Sequence, residues 1–240
     1  VFQFSSKGMT KFLVGMQPDK IEDLIAANAL FRPATLDSGS ANKYVDCKLG
    51  DAAPVYLWGT YNAMKNTYGV LCYQEQLAQI AREVGKFSLG EGVKLVKLIS
   101  KKKVDKILAL RDKFMAGALN NGCPKEDAEA IWHMFEVAGS YLFNRSHATA
   151  YAVTAYAGAY LKANYPTAFY TIALQWAKDD EIPTLMSEMG LCTKIVPPDI
   201  NVSGGTFFTD YKTDEIFWSL SRIKMLGAKA TEWIVNERDL

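Results

Sequence analysis

The chain has 240 residues and an almost balanced charge, with 27 lysines and arginines against 26 aspartates and glutamates. Hydrophobic residues make up 49% of the sequence and charged residues 22%, a globular composition that excludes a disordered or collagen-like protein. No run approaches the roughly 20 apolar residues that a membrane-spanning helix needs, so we expect no membrane partner.

Cysteine usage and the first residue set two further expectations. The four cysteines are widely spaced and form no C-x-x-C motif, which argues against a clustered metal site and favours a reducing, cytoplasmic compartment. The sequence opens with Val1 rather than methionine, and its first residues resemble the middle of a domain. We therefore interpret the chain as a piece of a longer protein.

Helical patterns dominate the first part of the sequence. Asp19 and Glu22 form an N-terminal capping signature, apolar residues follow at helical spacing, and Pro33 ends this first helix. Residues 33–60, rich in glycine, serine, aspartate and proline, are predicted to form a long irregular connection. Further helices are predicted at residues 74–84, 88–99, 103–119, 124–137 and 144–164.

The pattern changes after Pro197 and Pro198. Two β-rich runs, 206–211 and 215–220, predict a hairpin, and a final helix is predicted at 228–237. We therefore predict a mainly α fold in two parts: a multi-helix domain over residues 1–195, and a small β-hairpin and helix element over residues 196–240.

A basic segment is the first candidate for chemistry. Residues 86–113 contain nine lysines and arginines but only three acidic residues. Lys94, Lys97 and Lys101 fall on one face of a helix if the helix continues that far. Such a face suits a polyanion, because each neutralised phosphate releases counterions. The alternative is a solvated, lysine-rich surface without a ligand.

The second candidate is the start of the helix at residue 144. Asn144 or Ser146 can cap this helix, and its free backbone N–H groups and dipole favour an anion. Arg145 adds a bidentate phosphate donor, and His147 can donate a hydrogen bond. Tyr151, one turn further on, can stack on a base. The alternatives are a plain helix cap with an accidental histidine, and a tyrosine that packs in the core.

Signatures of catalysis are missing. The sequence contains no G-x-S-x-G elbow, no Walker A motif, no D-x-D and no H-x-x-H pair. The residues alone therefore indicate anion binding and no obvious reaction.

Taken together, short segments in order along nearly the whole chain resemble the C family of bacterial replicative DNA polymerases, to which the DNA polymerase III α subunit belongs. The segments are Val1–Gln3, Lys7–Met9, Gln17–Asp19, Ala29–Pro33, Thr67–Val70, Tyr73–Gln76, Ser88–Gly90, Lys101–Lys103, Phe143–His147, Ala150–Ala152, Leu161–Ala163, Tyr165–Pro166 and Pro197–Asn201.

The resemblance implies a mostly helical fingers domain that binds the incoming deoxynucleoside triphosphate (dNTP) and primer–template DNA. The family's metal-binding aspartates lie in the palm, upstream of the residue that matches Val1. We therefore expect no catalytic residue in this chain, Mg²⁺ bound only by the complete polymerase, and no activity of this segment alone. The implied partners are the palm domain of the same polymerase, a sliding clamp and other replisome subunits. The implied location is the cytoplasm of a bacterium, or of an infected host if the source is viral.

The resemblance also assigns individual residues. Arg145, Ser146 and His147 match the family's Asn-Lys-Ser-His segment, and Arg32 matches the arginine of Phe-Arg-Pro-Gly, with Ala34 in place of the glycine. Lys101–Lys103 match a Gly-Lys-Lys-Lys segment. The expected dNTP or phosphate ligands are Arg145, His147, Ser146, Lys97 and Arg32. The expected DNA contacts are Lys94, Lys101, Lys102, Lys103 and Tyr151.

Two segments depart from the family pattern. Val96 and Lys97 stand where the family usually carries adjacent arginines, so one guanidinium is lost and the other becomes a lysine, which cannot make the same forked contacts. Either Lys94 substitutes for it or nucleotide affinity is lower. The turn expected at the start of a DNA-binding helix-hairpin-helix region is also degraded, at residues 221–227. Two other hypotheses therefore stay open: a non-catalytic nucleic-acid-binding module with the fingers fold, and an unrelated helical scaffold.

Overall fold

The computed structural model describes residues 1–101, 104–139, 141–190 and 192–238. Within these ranges the chain forms thirteen α-helices, two short 3₁₀ turns and one three-stranded sheet, which confirms the predicted mainly α class. The chain divides into two compact units, Val1–Tyr156 and Ala157–Leu240. The boundary that we predict at 195/196 stays a prediction.

The helices of the first unit follow one another closely. They are α1 (Lys7–Met16), α2 (Ile21–Leu30), α3 (Pro33–Asp37), α4 (Ser40–Leu49), α5 (Tyr61–Met64), α6 (Gln74–Glu83), α7 (Leu89–Ser100), α8 (Val104–Asn120), α9 (Lys125–Ala138) and α10 (Arg145–Asn164), whose residues after Tyr156 belong to the second unit. The bounds of α2 and of α6 to α10 confirm the predicted helices to within a few residues.

Two hydrophobic clusters hold the first unit together. One lies among α6 to α9, where the rings of Phe114, Trp132 and Phe135 contact one another. The other packs α1, α2 and α4 against the start of α10, where Ala148 and Ala152 are fully buried. Because alanine has no side chain beyond Cβ, these two positions let α10 approach its neighbours closely.

The predicted irregular connection at 33–60 is wrong in its first half, which forms α3 and α4. Pro33 ends α2 and also starts α3, because its fixed φ and missing N–H suit the first helical position. Gly39 joins α3 to α4 with φ 74°, and Gly50 ends α4 with φ 87°, conformations that glycine adopts without strain.

The predicted caps of α2 and α7 have opposite outcomes. Lys20, rather than Asp19, precedes α2 and makes no side-chain cap; instead the Asp23 carboxylate accepts from the backbone N–H of Asp19 at 3.2 Å. The Ser88–Glu91 capping box forms as predicted, because the Ser88 hydroxyl accepts from the Glu91 N–H and the Glu91 carboxylate accepts from the Ser88 N–H.

The second unit combines two helices, a sheet and a final helix. These are α11 (Pro166–Trp176), α12 (Ile182–Met189), β1 (Lys194–Val196), β2 (Phe208–Asp210), β3 (Glu215–Phe217) and α13 (Ala228–Arg238). The predicted hairpin is confirmed as the antiparallel pair β2 and β3, while β1 adds a parallel edge that the sequence pattern did not predict. No helix in the described ranges is long and apolar enough to cross a membrane.

Candidate functional site

Of the two predicted caps of α10, Asn144 and Ser146, the structure uses Asn144. The Asn144 side-chain oxygen accepts from the backbone N–H of His147 at 2.8 Å and from the hydroxyl of Ser146 at 2.6 Å. This satisfies one of the backbone donors that a helix start otherwise leaves without an intrahelical partner. The residues from Asn144 to His147 are exposed, so their outer faces remain accessible.

Glu75 is a second cap on this helix start, and our sequence analysis assigned it no role. Its carboxylate oxygens accept from the backbone N–H of Arg145 at 3.0 and 3.1 Å, and one of them also accepts from the Asn144 side-chain amide at 3.0 Å. A carboxylate near a helix N-terminus is stabilised by the helix dipole. The expected anion position at the Arg145 N–H is therefore already taken by a side chain of the same molecule.

The backbone on either side of Glu75 is tied to the start of α10. Tyr73 and Phe143 form a parallel bridge, in which the N–H of Phe143 donates to Cys72 and the N–H of Gln74 donates to Phe143, both at 2.9 Å. Below this bridge, the buried Gln76 side chain accepts from the N–H groups of Cys72 and Tyr73 at 2.9 Å. The first turn of α6 thus supports the first turn of α10.

Arg145 and His147 face different cavities, although they lie in one helical turn. The Arg145 guanidinium lies 5.7 Å from the centre of the Tyr73 ring and borders a small cavity of about 70 Å³ together with Glu22 and Glu75. Burial raises the pKa of the Tyr73 hydroxyl, so this ring stays neutral under the guanidinium.

Arg32 and His147, which are far apart in sequence, line the same larger cavity. Its volume is about 550 Å³. The walls combine polar side chains with aromatic rings. The lining residues are Gln3, Ser5, Ser6, Met9, Asn28, Phe31, Arg32, Phe143, His147, Ala148 and Tyr151. Ser6 is the N-cap of α1, so this helix also begins at the cavity. The fold thus brings together three of the predicted site residues, Arg32, His147 and Tyr151.

Arg32 is held firmly at this cavity. Its Nε donates to the carbonyl of Ala29 at 2.9 Å, a terminal nitrogen donates to the carbonyl of Tyr141, and the guanidinium carbon lies 4.6 Å from the centre of the Phe143 ring. Half-burial lowers the pKa of the guanidinium, which nevertheless stays charged at any physiological pH. Arg32 therefore provides a fixed positive charge in the cavity wall.

Tyr151 stacks within the protein itself. Its ring centre lies 4.2 Å from that of His147 and 5.2 Å from that of Phe2. The imidazole of His147 also meets the edge of Phe143 at 5.5 Å. These contacts fix the orientation of the imidazole, whereas the predicted stacking of Tyr151 on a base stays a prediction.

Comparison with known proteins decides the family. The family described as bacterial DNA polymerase III alpha subunit finger domain matches residues 1–122. The chain belongs to this family.

Curated relatives extend the match to the whole chain. The chain is 37% identical to the DNA polymerase III subunit alpha of Aquifex aeolicus over 99% of its own length, and 39% identical to that of Chlamydia pneumoniae over 100%. It is 36% identical to the Pasteurella multocida protein over 100% of its length. The chain spans only about a fifth of these relatives, 21%, 19% and 21% of their respective lengths.

The lysines predicted to bind DNA, and Lys97, which is predicted to bind the dNTP or its phosphates, lie in and after α7 of the finger domain. Lys94, Lys97 and Lys101 are exposed. Helix α7 ends at Ser100, so Lys94 and Lys97 lie on the predicted helical face and Lys101 lies one residue beyond it. None of these three lysines lines the cavity of Arg32 and His147. Lys102 and Lys103 lie outside the described residues.

Val96, the residue in the place of a family arginine, belongs to the core. Its side chain is 8% exposed and joins the cluster of α6 to α9. It also borders a cavity of about 370 Å³, where Leu89 and Val93 form an apolar wall opposite Asn144 and Glu75. Valine adds no charge to this cavity, where an arginine would have added a second guanidinium to that of Arg82.

Metal-ligand clusters are not found in the described part of the chain, where no three histidine, cysteine or acidic side chains are grouped suitably. The donors around Arg32 and His147 are cationic, amide or hydroxyl groups, whereas Mg²⁺ prefers carboxylate oxygens. This cavity therefore does not fit a catalytic magnesium ion.

Proposed function

We propose that this finger domain works within a DNA-directed DNA polymerase, where it binds the incoming dNTP and the primer–template during DNA replication. The observation that carries the proposal is the shared cavity of Arg32 and His147. Its volume lies within the range of about 300–1,000 Å³ that is usual for small-ligand sites.

Each wall of the cavity offers chemistry that suits a triphosphate. Arg32 supplies a permanent positive charge whose geometry is fixed by backbone carbonyls. His147 supplies a ring N–H, held in place by Tyr151. The start of α1 at Ser6 adds the positive end of a helix dipole. Preorganised donors of this kind stabilise phosphate charge without reorganisation during the reaction.

Arg145, Ser146 and Lys97 complete the proposed nucleotide contacts from outside the cavity. The ion pairs among the described residues do not include the Arg145 guanidinium, so its charge is available to a ligand. We expect Arg145→Ala to weaken nucleotide use far more than DNA binding. Lys94, Lys101, Lys102 and Lys103, with Tyr151, are the proposed DNA contacts, through phosphate neutralisation and stacking.

The chemical step belongs to another part of the polymerase. Phosphoryl transfer of this kind would need Mg²⁺, which would supply Lewis-acid stabilisation of the phosphate charge. We propose that carboxylates of the palm domain hold this metal, while the finger domain positions the triphosphate. The further proposed partners are a sliding clamp and other replisome subunits.

The test compares the only two histidines of the chain in the intact polymerase. His147→Ala should raise the apparent KM for dNTP about ten-fold, the usual effect of one lost hydrogen bond to a charged group, and change the Kd for primer–template less than two-fold. His133→Ala is the matched control, because His133 is exposed on α9, and should change neither value. An unchanged KM in His147→Ala contradicts the proposal.

A second candidate is a non-catalytic module that binds DNA with the finger fold. The uncharged Val96 favours it, because one family arginine is missing beside α10. This candidate expects DNA binding that weakens with salt and is unaffected by nucleotide. Tighter DNA binding in the presence of the matched dNTP decides for the polymerase.

A further inference from the structure

We propose that Glu75 is a positioning residue for the nucleotide site, which orients His147 through Asn144. The inference rests on the proposed function, since that function assigns His147 to the triphosphate. Glu75 is not among the residues that line the cavity of Arg32 and His147, so its proposed effect on the nucleotide is indirect.

The hydrogen bonds form a relay with one direction. An asparagine amide has one donating end and one accepting end. The Asn144 NH₂ group donates to Glu75 at 3.0 Å, so its oxygen turns toward α10, where it accepts from the backbone N–H of His147 at 2.8 Å and fixes the helical turn that carries the imidazole. A carboxylate can only accept, so Glu75 enforces this orientation of the amide.

The start of α6, which carries Glu75, is held by hydrogen bonds on both sides. The backbone N–H of Gln74 donates to the carbonyl of Phe143, and the buried Gln76 side chain accepts from the N–H groups of Cys72 and Tyr73, the two residues before α6. The second carboxylate contact, to the N–H of Arg145, lies 70 positions away in sequence. Local helix signals cannot create this link, because it depends on the packing of α6 beside α10.

A different role for Glu75 predicts a change of the KM for dNTP in the opposite direction. If Glu75 were a stand-in for a phosphate at the start of α10, the triphosphate would have to displace it, and its removal would lower the KM for dNTP. If Glu75 positions His147, its removal raises that KM. The direction of the change therefore separates the two roles.

The experiment uses the intact polymerase with Glu75→Ala, Glu75→Gln and a control on the same helix. Glu75→Ala should raise the KM for dNTP about ten-fold and change kcat less than two-fold. Glu75→Gln keeps one accepting oxygen, so we expect about a three-fold rise. Glu83→Gln, at the far end of α6 where the carboxylate accepts from Gln79, should leave the KM unchanged. A lower or unchanged KM in Glu75→Ala overturns the inference.

Two further measurements show whether the effect passes through His147. Glu75→Ala added to His147→Ala should change the KM less than two-fold, whereas a full additional rise overturns the relay. Amide hydrogen exchange at residues 145–147 should accelerate at least about ten-fold in Glu75→Ala, without any nucleotide present. Unchanged exchange overturns the inference. If His147→Ala itself leaves the KM unchanged, the proposed function fails, and the exchange result alone decides whether Glu75 holds this helix start.

Discussion

The rings of His147 and Tyr151 lie in tilted contact one turn apart on α10, with centres 4.2 Å apart and planes inclined by 32°. Phe2 stacks on Tyr151 in turn, at 5.2 Å. An aromatic stack of this kind contributes about 0.5–1.5 kcal/mol beyond its buried area and restricts the imidazole to one orientation. The orientation of His147 toward the cavity thus depends on Tyr151 as well as on the helix cap.

Replacing Tyr151 should therefore separate ring stacking from its hydroxyl group. We expect Tyr151→Ala to raise the KM for dNTP about two- to thirteen-fold, because a loss of about 0.5–1.5 kcal/mol corresponds to that range. Tyr151→Phe keeps the ring and should remain within two-fold of the wild type. Steady-state kinetics of the intact polymerase measures both. An equal effect of the two substitutions would assign the role to the hydroxyl group.

Arg32 is expected to serve both stability and nucleotide binding. Arg32→Met removes the donors to the carbonyls of Ala29 and Tyr141 and should lower the free energy of unfolding by about 1–3 kcal/mol. The same change removes the fixed charge of the cavity and should raise the KM for dNTP. Denaturant unfolding and kinetics check the two effects; a stability loss without a change in KM would limit Arg32 to a structural role.

A buried ion pair near α2 and α4 should dominate local stability. Asp23 is fully buried; it accepts from the hydroxyl of Tyr44 at 2.8 Å, and its other oxygen lies 3.1 Å from Lys48, whose side chain is only 4% exposed. Asp23→Ala leaves this ammonium, among the residues that the structure describes, with the exposed Asp19 as its one acidic partner, so we expect a loss of about 3–5 kcal/mol. Tyr44→Phe should cost about 1–3 kcal/mol.

Urea unfolding of the wild type, Asp23→Ala and Tyr44→Phe measures these differences in the free energy of unfolding. The companion change Lys48→Met in the Asp23→Ala background should recover part of the loss, since it removes the poorly compensated charge. A double variant that is less stable than Asp23→Ala would contradict this explanation.

Glu91 should give a pH-dependent contribution to stability. The Lys113 ammonium, and the N–H and hydroxyl of Ser88, lower the pKa of its carboxyl from 4.5 to about 2. Because the folded pKa is depressed, the stabilisation is complete above the unfolded value near 4.5 and is lost as the pH falls toward 2.

Measuring the Tm of the wild type and of Glu91→Gln across this pH range tests the direction of the effect. The Tm difference between the two proteins should be constant at neutral pH and should shrink between pH 4.5 and 2. Glu129→Gln is the control, because Glu129 forms only an exposed pair with Lys125 at 3.9 Å, which contributes little. A difference that grows on acidification would contradict the assignment.

Local signals predicted the features that depend on neighbouring residues. The Ser88–Glu91 box and the cap of α10 each need only side chains within three positions, so the sequence predicts the box and narrows the cap to Asn144 or Ser146. Pro33 was interpreted only as a helix end, although the same fixed φ that ends α2 also favours the start of α3.

Contacts between distant segments could not be predicted in this way. The bond from Arg145 to Glu75 and the shared cavity of Arg32 and His147 arise only when α2, α6 and α10 pack together. Resemblance placed Arg32 and His147 in one site, but it did not show that Arg145 faces Tyr73 instead. The burial of Val96 could be predicted in part, since its spacing of four residues from Gly92 and three from Ile99 favours the core side of α7.

The most direct measurement is a structure of the intact polymerase with primer–template and an incoming, non-reacting dNTP. We predict phosphate oxygens within about 3 Å of the side-chain nitrogens of Arg32 or His147, in the cavity beside Tyr151. A triphosphate bound elsewhere, with this cavity empty, would contradict it.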